Sequence, residues 1–230
     1  VLRRFGMTTL YRSPEGYGLS LILGGAEGTL WDMAQMYSHL AFIAKGQIDN
    51  ATERIAPLRI LKTDSLQPLS DSDIGPGAAW LTMKALREVA RPDEEGFWKQ
   101  FKSSSRIAWK TGTSYGHRDA WAVGSDARHT VAVWVGNASG EGKPDIIGVS
   151  AAAPILFDIF NRLGSGGWFE APVSYLKDVD VCKENGYLPF AGCETVVEKI
   201  PAESHFDQMS PHHRIVHLDR SKKWRVNGKC

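Results

Sequence analysis

The sequence predicts an α+β protein: one antiparallel sheet with helices packed against it, followed by a small β-rich C-terminal domain. Three observations carry that expectation. Three β-type runs follow one another between residues 107 and 136, joined by short polar turns. Stretches with helical spacing stand before and after them. A glycine-rich break at residues 164–172, GSGGWFEAP, separates this region from a tail whose short β-like runs have no helical period. The expected division is a large domain over residues 1–165 and a small module over residues 172–230.

The first clear element is GTLWDMAQMYSHLAFIAKG, a helix capped by Thr29 with Asp32 three residues on, in a near capping box. Leu30, Met33, Ala34, Tyr37, Ala41 and Ala44 share one face, and Gly46 ends it. RIAPLRILKT reads as extended chain, and the Asp-Ser-Gly-Pro cluster over residues 64–77 as a loop. AAWLTMKALREVARP is a second helix, stopped at Pro92. SSRIAWKTGTS then opens the sheet, and DAWAVGSD and HTVAVWVGN form a hairpin around residues 125–129. In the last strand Val131, Val133 and Val135 take one face, Ala132 and Trp134 the other. Both faces are apolar, so both sides of the sheet should be covered. Ser150 is placed to cap a third helix, with Leu156, Phe160 and Leu163 as its stripe and Gly164 closing the last turn.

Composition sets outer limits. Of 230 residues, 43% are apolar and 23% charged, ordinary for a globular chain. With 27 basic and 26 acidic residues the net charge is +1, which gives no electrostatic reason to invoke nucleic acid or a membrane surface. No apolar run approaches the ~18 residues of a membrane span. The chain opens on VLRRFG without a methionine, which suggests a piece of a longer polypeptide. Cys182 and Cys193 flank the loop KENGYLPFAG and could close a disulfide, or could be two buried thiols. Cys230 has no evident partner.

Chemistry concentrates in the run KTGT. Alternation puts Lys110 and Gly112 on one face of the strand, opposite Trp109. Glycine removes a side chain, so another molecule could lie directly on the strand. Lys110 supplies positive charge, Thr111 and Thr113 supply hydroxyls, and the adjoining N–H groups could donate to a carbonyl oxygen. The set makes a receptor for a peptide carboxylate wherever the strand borders a cleft. An exposed edge strand carrying a protective lysine is the other reading.

The succession KTGTS, RDAW, VAVWVGN over residues 107–137 resembles the end of the transpeptidase domain of penicillin-binding proteins. GTLWDMAQMYSHLA resembles the helix between the second and third motifs of that domain. VCKENGYLPFAGC followed by SPHHRIVHLD is similar to the small terminal module of the 1C type within the bifunctional class A family. The resemblance implies a serine transpeptidase/β-lactamase-like fold whose N-terminal strands and nucleophile helix are absent from this chain. It implies that Lys110, Thr111 and Thr113 bind the terminal carboxylate of a D-Ala-D-Ala stem peptide or of a β-lactam, while Gly112 completes the substrate-binding set by keeping the strand open to the ligand. The backbone N–H of Thr113 would be one of two oxyanion donors, and no metal or organic cofactor would be needed. The parent would lie at the periplasmic face of the inner membrane, with an N-terminal membrane helix and a glycosyltransferase domain. Two alternatives stay open: a β-lactamase-like hydrolase, and a non-catalytic module that binds an envelope protein through residues after Pro172.

That family requires a Ser-x-x-Lys motif and a Ser-x-Asn motif ahead of the lysine-threonine-glycine strand. The sequence has one Ser-x-x-Lys, SYLK from Ser174 to Lys177, which follows that strand, adjoins Pro172 and lies outside any expected helix. It is not expected to act as the nucleophile, and no Ser-x-Asn occurs. The absent strands would pair beside the run 130–135, so that strand should present an unpaired edge through which the chain could associate. His205, His212, His213 and His217 form no expected metal site, because HRIVHLD reads as a strand and no Cys-x-x-Cys accompanies it. Most of the tryptophans sit on apolar strands or helices and read as core residues, and Asp119 as a turn or ion-pair residue beside Arg118 or Arg106.

Overall fold

The computed structural model describes residues 1–46, 57–60, 74–88, 106–212 and 216–226. It divides into two compact units, Val1–Leu176 and Lys177–Cys230. The first unit starts with a short helix α1, Pro14–Tyr17, and a 3₁₀ turn, Gly18–Leu23. Two longer helices follow, α2 over Leu30–Ala44 and α3 over Pro76–Arg87. The sheet comes next, as β1 (Ala108–Thr113), β2 (Asp119–Ser125) and β3 (Thr130–Gly136). A π-helical turn, Gly148–Ala152, then runs into α4, Ala153–Leu163.

Helix α2 starts where its cap places it: Thr29 Oγ1 accepts the Asp32 amide at 3.0 Å. The reciprocal half of a capping box is absent, because the Asp32 carboxylate instead accepts the amide of Thr8 at 3.0 Å and its hydroxyl at 2.9 Å. The expected side is buried only toward the end of the helix, at Ala41 and Ala44. Asp32, Gln35, His39 and Ile43 are buried, whereas Leu30 stays 40% exposed. Remote chain explains the difference. Residues 5–8 lie along this side, His39 Nδ1 bonds the Phe5 carbonyl at 3.1 Å, and Gln35 Oε1 accepts the Leu58 amide at 3.2 Å. Gly46 ends the helix with φ +65°, a left-handed conformation that glycine adopts without strain.

Helix α3 carries Pro76 in its first turn. Pro92, residues 64–73 and most of RIAPLRILKT lie outside the described residues, and residues 57–60 form no regular element.

The sheet is antiparallel in the order β1-β2-β3, with Trp109 opposite Gly124 and Gly124 opposite Val131. One face carries Trp109, Ala122, Val131 and Val133, packed with Leu156, Phe157 and Phe160 of α4. Trp109 meets Phe157 edge to face at 5.0 Å. Leu156, Phe157 and Phe160 are each at most 1% exposed, and burial of such side chains contributes about 1.5–3 kcal/mol apiece. On the other face Ala108 joins Ile43 and Ala44 of α2 and Ala79 and Met83 of α3. Both sides are covered, as the double apolar pattern requires.

Two details of α4 differ from expectation. Ser150 does not cap it; its hydroxyl donates back to the Ile147 carbonyl at 3.4 Å, within the π turn. The stripe is Ala153, Leu156, Phe157 and Phe160, while Leu163 is 48% exposed. Leu156 and Phe160 are inward as expected, and Leu163, the last residue of the helix, is not.

Residues 164–172 are not a free linker. Gly166 donates to Asp126 at 2.9 Å, Ala127 donates to the Gly167 carbonyl at 3.3 Å, and Trp80 Nε1 donates to the Phe169 carbonyl at 3.2 Å. Phe169 is 2% exposed. Burial of its ring keeps this segment in the first unit, which therefore runs to Leu176 and not to residue 165.

The second unit pairs β4 (Leu176–Cys182) with β5 (Thr195–Pro201). Cys182 and Cys193 are joined as a disulfide with Cα atoms 5.7 Å apart. Further on, β6 (His217–Leu218) and β7 (Arg225–Val226) make a short antiparallel hairpin. His213 and Cys230 lie outside the described residues. Among those described, no three His, Cys, Asp or Glu side chains gather as metal ligands, and no helix is long and apolar enough to cross a membrane.

The hairpin turn is held by Asp219, whose carboxylate accepts the Ser221 hydroxyl at 2.6 Å and the Lys223 and Trp224 amides at 3.0 and 3.1 Å. The Ser221 hydroxyl first, and then the Trp224 amide, hold the Asp219 carboxyl below its ordinary range. A depressed carboxyl stabilises the folded turn above its unfolded value of about 4 and stops doing so as pH falls through the lower folded value. Amide exchange at Trp224 is therefore expected to be slow at pH 6 and to lose protection in acid. Unchanged protection at pH 2 would show that the turn does not depend on the anion.

Candidate functional site

The lysine-threonine-glycine-threonine run occupies β1, which is an edge strand of the sheet among the described residues. Its start is anchored by Trp109, 2% exposed, in the α4 core. From there alternation separates the four residues. Thr111 and Thr113 share the Trp109 face, opposite Ala122 and Ala120. Lys110 and Gly112 take the other face, opposite Val123 and Trp121. The lysine and the two threonine side chains thus do not form one surface; the strand edge is what they have in common.

Lys110 is exposed and has no carboxylate partner among the described residues. Its amine donates to the Thr111 carbonyl at 2.5 Å, curling over the free edge. The backbone at that edge follows from one bond. Ser114 donates to the Asp119 carbonyl at 2.9 Å, so the antiparallel alternation turns the N–H groups of Thr113 and Thr111 away from β2. An uncompensated cation and two outward amides therefore stand in a row.

The other two side chains are more constrained. Thr113 Oγ1 accepts the Gly148 amide at 3.0 Å, so the hydroxyl is oriented by the π turn and keeps its own proton for a further acceptor. Among the described residues, a Cβ on Gly112 would meet only the Trp121 Cβ, at 3.7 Å, an ordinary contact. The chain itself has room for a larger residue at Gly112.

Gly148 is the opposite case, and the sequence offered no sign of it. A Cβ there would stand 2.5 Å from the Gly112 carbonyl oxygen, 2.9 Å from that of Trp121 and 3.0 Å from Thr111 Cβ. Two of those atoms are backbone and cannot yield. Gly148→Ala is expected to push the π turn off β1, costing about 2–3 kcal/mol, and to free the Thr113 hydroxyl. Urea unfolding checks it; an unchanged midpoint would mean that the turn is loosely seated.

The rim of β1 is the turn into β2. Gly116 and His117 have φ of +75° and +54°, and Tyr115 is 98% exposed. Loop 137–147 braces the turn, with Lys143 donating to the His117 carbonyl at 3.1 Å. Asp119 pairs with neither Arg118 nor Arg106: its Oδ1 accepts Trp134 Nε1 at 2.9 Å, a cross-strand bond that spacing alone does not reveal. Trp134 is nonetheless exposed, at 38%, beside Trp121, with ring centroids 6.4 Å apart. The lone Ser-x-x-Lys is dismantled by its surroundings. Ser174 sits in a 3₁₀ turn, Val173–Tyr175, while Lys177 lies in β4 and donates to the Ser204 carbonyl at 2.6 Å.

The antiparallel sheet between helices is similar to the fold in the crystal structure of penicillin-binding protein 1A from Haemophilus influenzae. The match covers 91% of this chain and 37% of that one, with a TM-score of 0.62 and 18% sequence identity, and so concerns the fold. No protein-family model matches the chain. Sequence relatives make the assignment: the chain corresponds to a segment of the class A penicillin-binding proteins of peptidoglycan synthesis. Penicillin-binding protein 1C of Escherichia coli (strain K12) is 35% identical over 164 residues, 70% of this chain and 19% of that protein. Penicillin-binding protein 1B of Vibrio cholerae serotype O1 is 30% identical over 117 residues, 51% of this chain and 15% of that protein. The chain thus matches about a fifth of the length of the first of these relatives.

Proposed function

We propose that residues 110–113 form the carboxylate-binding edge of a D,D-transpeptidase that cross-links peptidoglycan stem peptides and binds penicillin. One observation carries the reading: among the described residues Lys110 is a cation without a carboxylate partner on an edge strand, in line with the outward amides of Thr111 and Thr113. A peptide ending in a carboxylate can add to that edge in extended form, its backbone pairing with β1 and its charge meeting Lys110. The Thr113 hydroxyl, aimed by Gly148, serves the same carboxylate. The Thr113 amide serves as one oxyanion donor toward an acyl carbonyl. The empty space over Gly112 is where the ligand backbone lies.

The nucleophile and its base come from a Ser-x-x-Lys segment that is not in this sequence. The working enzyme lies at the periplasmic face of the inner membrane, with a glycosyltransferase domain and membrane anchor in the same polypeptide. It needs no metal or organic cofactor, because acyl transfer through a serine ester requires only an activated hydroxyl and an oxyanion site. The relatives are peptidoglycan-synthesis proteins, which favours transfer over hydrolysis.

The test joins this chain downstream of the nucleophile-bearing segment of a penicillin-binding protein and labels the product with fluorescent penicillin. Lys110→Ala and Gly112→Ala are expected to cut the acylation rate at least tenfold while leaving the unfolding midpoint within error. The second substitution is the sharper probe, since an alanine at 112 meets nothing tighter than 3.7 Å among the described residues. Labelling at an unchanged rate in both variants would remove β1 from the site.

A further inference from the structure

We propose that the β6–β7 hairpin of the second unit is a docking tip for an anionic lipid bilayer. The inference rests on that unit alone and stands or falls independently of residues 110–113. The hairpin turn reads DRSKKWR, residues 219–225, and every residue from Arg220 to Arg225 is exposed. It carries four cations, Arg220, Lys222, Lys223 and Arg225, around Trp224, whose residue is 72% exposed.

Elsewhere in the unit the described cationic side chains are engaged. Lys183 pairs with Glu194 at 2.8 Å, Lys199 with Asp178 at 2.6 Å, and Lys177 donates to the Ser204 carbonyl at 2.6 Å. Among the described residues, Arg220, Lys222, Lys223 and Arg225 are the lysines and arginines of this unit whose side chains have no such partner. The one acid within the turn is consumed by it: Asp219 accepts from Ser221, Lys223 and Trp224. Those bonds pin the backbone of Trp224 and leave its ring outside. Lys222 holds φ +58°, a left-handed conformation that glycine or asparagine would adopt at less cost. A cation is therefore displayed where the backbone favours another residue.

An exposed indole ringed by cations suits a membrane interface, where tryptophan settles at headgroup level and lysine and arginine reach the phosphates. The shape points the same way. Linear polyanions are tracked by grooves, whereas a hairpin tip with residues 220–225 all exposed meets a broad surface. Near an anionic leaflet each cation strengthens attachment about fivefold, and the effect weakens within a Debye length as salt rises.

The full 230-residue chain is sedimented with phosphatidylcholine vesicles and with vesicles of phosphatidylcholine and phosphatidylglycerol, at low and high salt. Binding is expected to the mixed vesicles alone, with release by salt. Lys222→Gly combined with Lys223→Ser should weaken it about 25-fold, with the first change easing the turn, so that loss of binding is not loss of fold. Trp224→Ala should weaken it several-fold, and Lys222→Arg with Lys223→Arg should bind as the parent does. Equal binding to neutral vesicles, no binding to mixed ones, or full binding by the Gly/Ser variant would overturn the proposal. So would retention on peptidoglycan sacculi or on a protein partner without vesicle binding.

Discussion

Replacing Asp126 with alanine is expected to lower the unfolding free energy by about 3–5 kcal/mol. The carboxylate is buried at 2% exposure and accepts the amides of Arg128 and His129 at 2.7 Å each and that of Gly166 at 2.9 Å. His129 Nδ1 adds a longer contact at 3.4 Å. One side chain thus ties the β2–β3 turn to the segment after α4. A net hydrogen bond to a charged group is worth about 1.5–3 kcal/mol, and alanine leaves three amides without their acceptor. Water from the shallow groove beside Ser38, Lys45 and His129 can replace part of that, which keeps the total below the sum of three full losses. Asparagine retains one oxygen but turns an NH₂ toward a donor, so it should cost about half as much. Gly166→Ala strikes the same network from the other side, because its Cβ would stand 2.1 Å from Asp126 Oδ1. Urea denaturation of the two single variants and the double should show strong non-additivity. A loss under about 1 kcal/mol for Asp126→Ala would mean that solvent substitutes fully and that the tie is nominal.

Incubated with labelled penicillin, the chain on its own is expected to acquire no covalent label. This is an all-or-none effect, since acyl transfer needs a nucleophile with an adjacent base. The one serine with a lysine three residues on is Ser174, and Lys177 turns instead to the Ser204 carbonyl. Intact-mass measurement after prolonged exposure should show the unmodified protein. A stoichiometric shift by the mass of the drug would reveal a nucleophile outside the motif logic and would undo the division of labour proposed above.

What could be read from the sequence depended on how local its cause was. The sheet was legible because alternation and β-branched residues act within each strand, and the hairpin at Asp126–His129 because its turn is short. The chemistry of residues 110–113 was legible, and alternation also told that Lys110 and Gly112 lie opposite Trp109, which leaves the two threonines on the α4 side. The aim of the Thr113 hydroxyl was not legible, because it is set by the amide of Gly148, remote in the chain. The polar part of the buried side of α2 was illegible for the same reason. Asp32, Gln35 and His39 look like a solvated stripe until residues 5–8 and 58 supply their partners. Residues 164–172 had the composition of a linker, and only the burial of Phe169 and the amide of Gly166 make them part of a packed unit.

The polar stripe of α2 makes the leading residues of the chain a plug. A protease that clips them off would remove the backbone and hydroxyl groups that answer Asp32 and His39, leaving a carboxylate and an imidazole against apolar neighbours. Water would have to invade the space between α2 and its surroundings. Trimming as few as eight residues from the front should therefore loosen a helix that begins more than twenty positions later.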